Sequence, residues 1–248
     1  MTRPVYFFTG RPKVGKTVTL DGSEGRHAVT VRRLQVGEDV DLVDGLGYRG
    51  TCSVVGVAKA AAQLKVYAVT CEDEPALKVT LVQALIKGGR GETVIETATE
   101  LDVWHIIPWQ SARTIVRWNG PKAEKGRQKW LGVVRSATKQ SRRAFQPQVS
   151  AVHNTKELVA YVSEKTTAGA TVLVLHEEAI TPLTQITPQS EEIVLIVGPE
   201  GGIGEDETKA LCDAGAQLVR LGKTVLRAAS AGPAALAYIA GTWGTWRR

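Results

Sequence analysis

Three short stretches of the 248-residue chain carry residue types that could do chemistry. Residues 10–17 read GRPKVGKT, in which Gly10, Gly15, Lys16 and Thr17 match the G-x-x-x-x-G-K-[ST] loop whose backbone N–H groups cradle nucleotide phosphates. Residues 198–202 read GPEGG and residues 221–227 read LGKTVLR, the latter ending in Arg227. The first would hydrolyse a nucleotide; the other two would hold a ligand against bare backbone.

The elements around each stretch separate these readings. A phosphate loop joins a strand to a helix whose N-terminus faces the phosphates. After Lys16 the chain reads TVTLDGSEG, a strand and then a turn. Pro12 and Val14 stiffen a loop that needs free amides. The interval 18–39 is also too short for a helical crossover to VDLVD, the acidic run that would hold magnesium. The match is therefore read as an accident in a basic hairpin. GPEGG has the context that GRPKVGKT lacks. The apolar run Ile193 to Val197 reads as a buried parallel strand, and GEDETKALCDAGA opens with acids and closes at Gly215, as a helix does. Glycines at the carboxyl end of such a strand let a ligand approach the backbone. One strand further on, LVRLG leads into Val225 and Leu226. An Ala-rich helix follows, with Ser230 expected as its cap and Pro233 in its first turn.

The remaining pattern predicts two domains. Over residues 1–72, VYFF, TVTL, DVDLVDG, YRGTCSVVGV and LKVYAV are short β-branched or aromatic runs, the signature of a small sheet or barrel. CEDEP then breaks the chain. Over 75–248, strands such as WHIIPW, TVLVLH, EIVLIVG and AQLVRLG alternate with helical stretches, which implies a largely parallel sheet covered by helices. One such helix is GETVIETATEL, with Val94, Ile95, Ala98 and Leu101 on one face.

Composition bounds the partners. The formal charge is +6, and Lys122 to Arg143 holds eight basic residues against Glu124, so this segment alone exceeds the net charge of the chain. Trp130, Val133, Val134 and Ala137 recur there at helical spacing, burying one face and leaving cations on the other, either as a solvated surface or as a phosphate-binding ridge. Cys52, Cys71 and Cys212 are widely spaced and outside any C-x-x-C pair, and the four histidines are scattered, so neither a disulfide framework nor a metal site is expected. No apolar run reaches a membrane span or a secretory signal, and a cytoplasmic location is expected.

The pair of loops GPEGG and LGxxVLR, in this order and at this distance, resembles the RsmE family of 16S ribosomal RNA uridine N3-methyltransferases in the SPOUT superfamily. The likeness extends over nearly the whole chain. HAVTVRR at 27–33 and VDLVDGLG resemble elements of the family's PUA-like domain, Lys87 and TELDV at 99–103 the start of its catalytic domain, and KQSRR at 139–143 its Gln-x-Gly-Arg element. The chain departs from the family at Arg32, where Leu is usual, at Asp102 and Arg142, where Gly is usual, and at Ala228–Ser230, where Thr-Glu-Thr is usual.

The resemblance implies an α/β protein with an N-terminal PUA-like β-barrel domain and a C-terminal SPOUT domain tied in a deep trefoil knot, a rare exception to unknotted topology. It also implies a homodimer that binds S-adenosylmethionine and acts on 16S rRNA in the 30S subunit. Carried over residue by residue, Leu175 and His176 make the first cofactor contacts. Val197, Gly198, Glu200, Gly201 and Gly202 supply the second loop, and Leu221, Gly222, Val225 and Leu226 the third. Arg143 and Arg227 are the candidates for stabilising negative charge at the uracil oxygens. Arg3, Arg11, Lys16, Arg32, Arg33, Lys87 and Arg142 are the expected RNA contacts. A SPOUT enzyme of another RNA, a catalytically dead RNA binder and a P-loop hydrolase are the alternatives.

Overall fold

The computed structural model describes residues 2–244 and 246. The chain divides into two compact units, one of residues up to Glu74 together with Thr138–Gln146, the other of Pro75–Ala137 and Pro147 onward.

The first unit is built on β1 (Val5–Phe7), β2 (Thr17–Leu20), β3 (Asp39–Val43), β4 (Tyr48–Val57) and β5 (Ala62–Cys71), in the sheet order β1-β3-β4-β5-β2. All five coincide with β-branched runs of the sequence. Alternation sends Val40, Leu42, Cys52, Val54, Leu64 and Val66 into one core with Tyr6 and Leu20. Burial pushes the Cys52 thiol up to about 12, so it stays a neutral core group. Between β2 and β3 the chain makes a short helix α1 (Gly22–Arg26) that widens into a π-type turn over His27–Val31, which no hydrophobic period announced.

The loop 10–17 is not a hairpin, because β1 pairs with β3 and β2 with β5. Its amides are also committed: Gly15 N donates to Val66 O at 2.8 Å and Lys16 N to Lys13 O at 3.1 Å. With a strand rather than a helix after Thr17, the loop has no phosphate cradle.

The second unit is a parallel sheet of β6 (Lys78–Ala84), β7 (His105–Gln110), β8 (Gln148–Val149), β10 (Thr171–Leu175), β11 (Glu192–Val197) and β12 (Gln217–Val219), in the order β12-β10-β11-β6-β7-β8. A short β9 (His153–Asn154) also pairs with β7. Its helices are α2 (Arg90–Glu100), α3 (Pro121–Gln140, whose last three residues belong to the first unit), α4 (Thr155–Thr167), α5 (Glu205–Asp213) and α6 (Ala228–Thr242). The strands are buried on both faces, which explains their unbroken apolar runs. Asn154 opens α4 with a capping box closed by Glu157.

Helix α3 buries Trp130, Val134 and Ala137, as the spacing of the sequence requires. Trp118 meets Trp130 edge to face at 5.1 Å between ring centroids. Gly126 makes room for it, since a Cβ there would lie 2.4 Å from Trp118 Cε2. The basic face of α3 is partly neutralised: Lys129 pairs with Glu92 at 2.7 Å, Lys139 with Glu24 at 3.1 Å and Arg127 with Glu124 at 3.4 Å. None of the described helices is long and apolar enough to cross a membrane.

Candidate active site

Register builds the site. Leu175, the last residue of β10, lies beside Val197 of β11 and Val219 of β12, and Val197 lies beside Gln83 of β6. Three loops, 176–182, 198–204 and 220–227, therefore leave the sheet at one level, at the carboxyl ends of parallel strands where such sheets hold ligands. Backbone bonds fix the loop after β10 to the loop after β12: His176 N donates to Val219 O at 2.9 Å, Arg220 N to Thr181 O at 3.0 Å and Leu183 N to Arg220 O at 2.8 Å.

Two adjoining cavities open there. The smaller, of about 80 Å³, is bordered by Leu175, His176, Glu177, Ala231 and the stretch from Val219 to Leu226. The larger, of about 360 Å³, is bordered by Ile86, Arg90, Glu177, Glu200, Val225 and Arg227, with Pro199, Gly202 and Leu226–Ala229 completing its wall. None of the described backbone hydrogen bonds uses the amides or carbonyls of Leu221 to Leu226. Apolar walls with free backbone donors and acceptors are what a purine ring requires, the faces against Leu175, Val219 and Leu226 and the edges on the backbone. The residues present thus fit an adenosine-bearing cofactor.

The GPEGG turn is held from two sides. Glu200 Oε1 accepts from Lys87 N at 3.2 Å and faces Arg90 at 3.6 Å, fastening the turn to the start of α2. Arg113, from the loop after β7, donates to Gly201 O at 3.2 Å. That loop is rigid in its own right: Ser111 and Thr114, both buried, bond each other at 2.8 Å, and Arg117 donates to the Ser111 and Ala112 carbonyls. Below the turn Glu207, buried in the first turn of α5, accepts from Ala112 N at 2.8 Å, from Thr155 Oγ1 and from Gly204 N at 3.3 Å. One carboxylate thereby joins three segments.

Of the residues expected to hold a cofactor, Leu175, His176, Leu221 and Gly222 border the smaller cavity, Glu200 and Gly202 the larger, and Val225 and Leu226 both. Val197, Gly198 and Gly201 border neither. Val197 is turned into the core, and Gly198 is a packing glycine whose Cβ would lie 2.6 Å from Ile203 Cγ1. The cap of α6 is Arg227 rather than Ser230: extended at ψ 150°, it places its carbonyl to accept from Ser230 N at 2.8 Å and Ala231 N at 3.0 Å. Pro233 therefore stands inside the helix, beyond its first turn.

Arg227 borders the larger cavity; Arg143 belongs to the first unit with Gln140 and Arg142 and borders neither cavity. The segment 138–146, placed in the second domain by sequence, thus groups with the β-rich unit. Among the expected RNA contacts there, Arg3 reaches Asp41 at 3.5 Å and Arg11 lies over the Tyr48 ring at 5.6 Å. Arg33 and Arg142 adopt left-handed backbone, at φ 53° and 59°. Lys16 and Arg33 are exposed, as is Arg32, whereas Lys87 lies in the second unit and meets Glu200 through its backbone. Sequence reading missed Arg90, Arg113, Glu177 and Glu207. Only Glu207 had a signal, standing three residues after Gly204 at capping-box spacing.

A model of the RNA methyltransferase domain matches residues 72–240, and a model of the RNA methyltransferase PUA domain matches residues 20–67. The ribosomal RNA small subunit methyltransferase E of Mycobacterium tuberculosis is 42% identical over 247 residues, covering 99% of this chain and 94% of that one. The protein of the same name from Bacillus subtilis is 29% identical over 224 residues, 87% of this chain and 86% of that one. Among solved structures, a ribosomal RNA small subunit methyltransferase E from Neisseria gonorrhoeae bound to S-adenosyl methionine superposes with a TM-score of 0.89 at 32% identity, covering 98% of this chain and 99% of that one. With its cofactor-type loops, its β-rich unit and this similarity along nearly its whole length, the chain belongs to the RNA methyltransferase family, with an N-terminal PUA domain.

Proposed function

We propose that the protein is an S-adenosylmethionine-dependent methyltransferase acting on N3 of a uridine in the 16S rRNA of the small ribosomal subunit. The observation that carries this is the register of Leu175, Val197 and Val219, which sets three ligand loops side by side around a cavity with free backbone groups. Relatives named for small-subunit RNA methylation, and a solved neighbour bound to S-adenosylmethionine, support the substrate and the cofactor.

When bound, the cofactor supplies an electrophilic methyl group. The chain's own residues have three tasks. Leu175, Leu221 and Leu226, with the backbone of 221–226, hold the adenosine. The GPEGG turn, fixed by Arg90, Arg113 and Glu207, keeps the wall of the larger cavity in one geometry, so that alignment contributes to the rate. Arg227, on that cavity, offers its guanidinium to a uracil oxygen as N3 loses its proton, with Arg143 as a second candidate for that role. N3 is hidden in a base pair, so the target base must be unpaired or extruded.

The RNA is gripped by the cations of the first unit, Arg3, Arg11, Lys16, Arg32, Arg33 and Arg142, with Lys87 contacting it from the second. The reading extends to a homodimer, to a knotted C-terminal segment and to a cytoplasmic location; the exposed Ile115 and Val225 support a protein contact near the loops. The experiment is transfer of a labelled methyl group to unmodified small subunits, with large subunits and transfer RNA in parallel. Label in the small subunit alone is the expected result; label only in transfer RNA would move the substrate.

A further inference from the structure

The reaction proposed above leaves one role unfilled: the group that accepts the N3 proton. We propose that the carboxylate of Glu177 accepts it, a reading that rests on the assignment of uridine N3 as the methylated atom. The two cavities share Glu177, Val225 and Leu226 on their borders. Donor and acceptor atoms must meet where the two spaces adjoin, and of the three residues there only Glu177 can take a proton.

The other titratable groups on the cavities are already committed or have the wrong charge. Arg220 and Lys223 on the smaller, and Arg90 and Arg227 on the larger, are cationic donors with no lone pair to accept a proton. His176 borders only the smaller cavity, and its Nδ1 faces the Glu178 N–H at 3.3 Å. Glu200 borders only the larger, and its Oε1 is engaged by Lys87 N and Arg90. Glu177 stands two residues past the end of β10, exposed, and makes no hydrogen bond or ion pair with any described residue. A carboxylate with no partner among the described residues, at the joint of two cavities that four cations also border, has its lone pairs available for substrate.

The N3–H bond breaks and its proton passes to a Glu177 carboxylate oxygen; the electron pair left on N3 forms the bond to the methyl carbon. The carbon–sulfur bond of the donor breaks, with its pair returning to sulfur, and the resulting carboxylic acid gives its proton to solvent. Arg227 and Arg90, on the acceptor side, neutralise the charge that develops on the uracil oxygens.

The test uses the full-length protein with Glu177→Gln, and with Glu178→Gln as the control that borders neither cavity. Single-turnover methylation of small subunits is followed from pH 6 to 9, and the affinities for S-adenosylmethionine and S-adenosylhomocysteine are measured by calorimetry. Glu177→Gln is expected to lose about 100-fold in rate at pH 7, within the range of a general base. Its residual rate should climb about tenfold per pH unit, because N3 must now lose its proton to bulk solvent. Both affinities should stay as in the wild type, and Glu178→Gln should match the wild type throughout. A Glu177→Gln rate within about threefold of wild type would overturn the proposal. So would a selective loss of affinity for the sulfonium form, which would make the carboxylate its counter-charge instead. A wild-type enzyme that methylates an atom other than uridine N3 would overturn the parent reading, whatever the variant does.

Discussion

Glu207 Oε1 accepts the backbone N–H of Ala112 at 2.8 Å, across 95 residues of chain, while its Oε2 accepts from Gly204 N at 3.3 Å. The carboxylate is buried, and its bonds come from neutral donors at the N-terminus of α5, where the helix dipole favours a negative charge. It holds the loop after β7 and the GPEGG turn in one geometry.

Glu207→Ala leaves those donors without a partner, and a loss of about 3 kcal/mol in unfolding free energy is expected by urea titration. Glu207→Gln keeps the shape and one acceptor oxygen, so about half of that loss is expected. Both variants should weaken S-adenosylhomocysteine binding in calorimetry by loosening the GPEGG turn. Unchanged stability and affinity in Glu207→Ala would show that the three segments hold without it.

His105 predicts a pH dependence. Burial, with Lys165 and His153 nearby, lowers its pKa from the ordinary 6.5 to about 4, and its Nε2 sits 2.7 Å from Ser150 Oγ. A base whose folded pKa is depressed binds its proton first in the unfolded chain. Its stability contribution is therefore present above pH 6.5 and is lost as pH falls toward 4. Between pH 7 and pH 4.5 the wild type should lose about 2 kcal/mol more than His105→Gln in urea unfolding. Equal losses would place His105 in an ordinary solvated environment.

Arg142 stands at φ 59° and Asp102 at φ 66°, the two positions where the sequence departs from a glycine usual in the family it resembles. Left-handed backbone costs an L-residue about 1 kcal/mol, part of which a glycine returns through the entropy of the unfolded chain. Arg142→Gly should therefore raise stability by up to about 1 kcal/mol in thermal or urea unfolding. If Arg142 reaches RNA phosphate, the same variant binds RNA more weakly and its affinity falls less steeply with salt, by about one unit of slope. A variant with unchanged salt slope would remove Arg142 from the RNA contacts.

Much of the fold was legible because its signals are local. TVTL is a strand to the residue, and Val94, Ile95 and Ala98 mark the buried face of α2 as the period requires. GPEGG and LGKTVLR follow β11 and β12, the two strands that flank β10, and each was legible as a strand-to-loop unit from its own residues. What stayed hidden depends on distant contact. No local pattern announces that Arg113 reaches Gly201, that Ala112 meets Glu207, or that 138–146 packs with the β-rich unit. GRPKVGKT shows the converse: the letters of a phosphate loop were present while its amides were spent on Val66 and Lys13.

Arg227 carries the charge-stabilising role proposed for the larger cavity. Arg227→Ala should lower the single-turnover methylation rate by about 100-fold while S-adenosylhomocysteine affinity, held mainly by residues of the smaller cavity, stays within about threefold. Arg143→Ala tests the second candidate in the same assay. An unchanged rate with intact cofactor affinity would remove either arginine from the chemistry.

The central claim is tested most directly by incubating unmethylated small subunits with the protein and S-adenosylmethionine, then locating the mark by reverse-transcription stops and nucleoside mass analysis. One new stop, at a uridine of 16S rRNA, is expected, with 3-methyluridine as the new nucleoside. Cofactor binding with no new mark on the RNA, or a methyl group on another base or on the ribose, would contradict it.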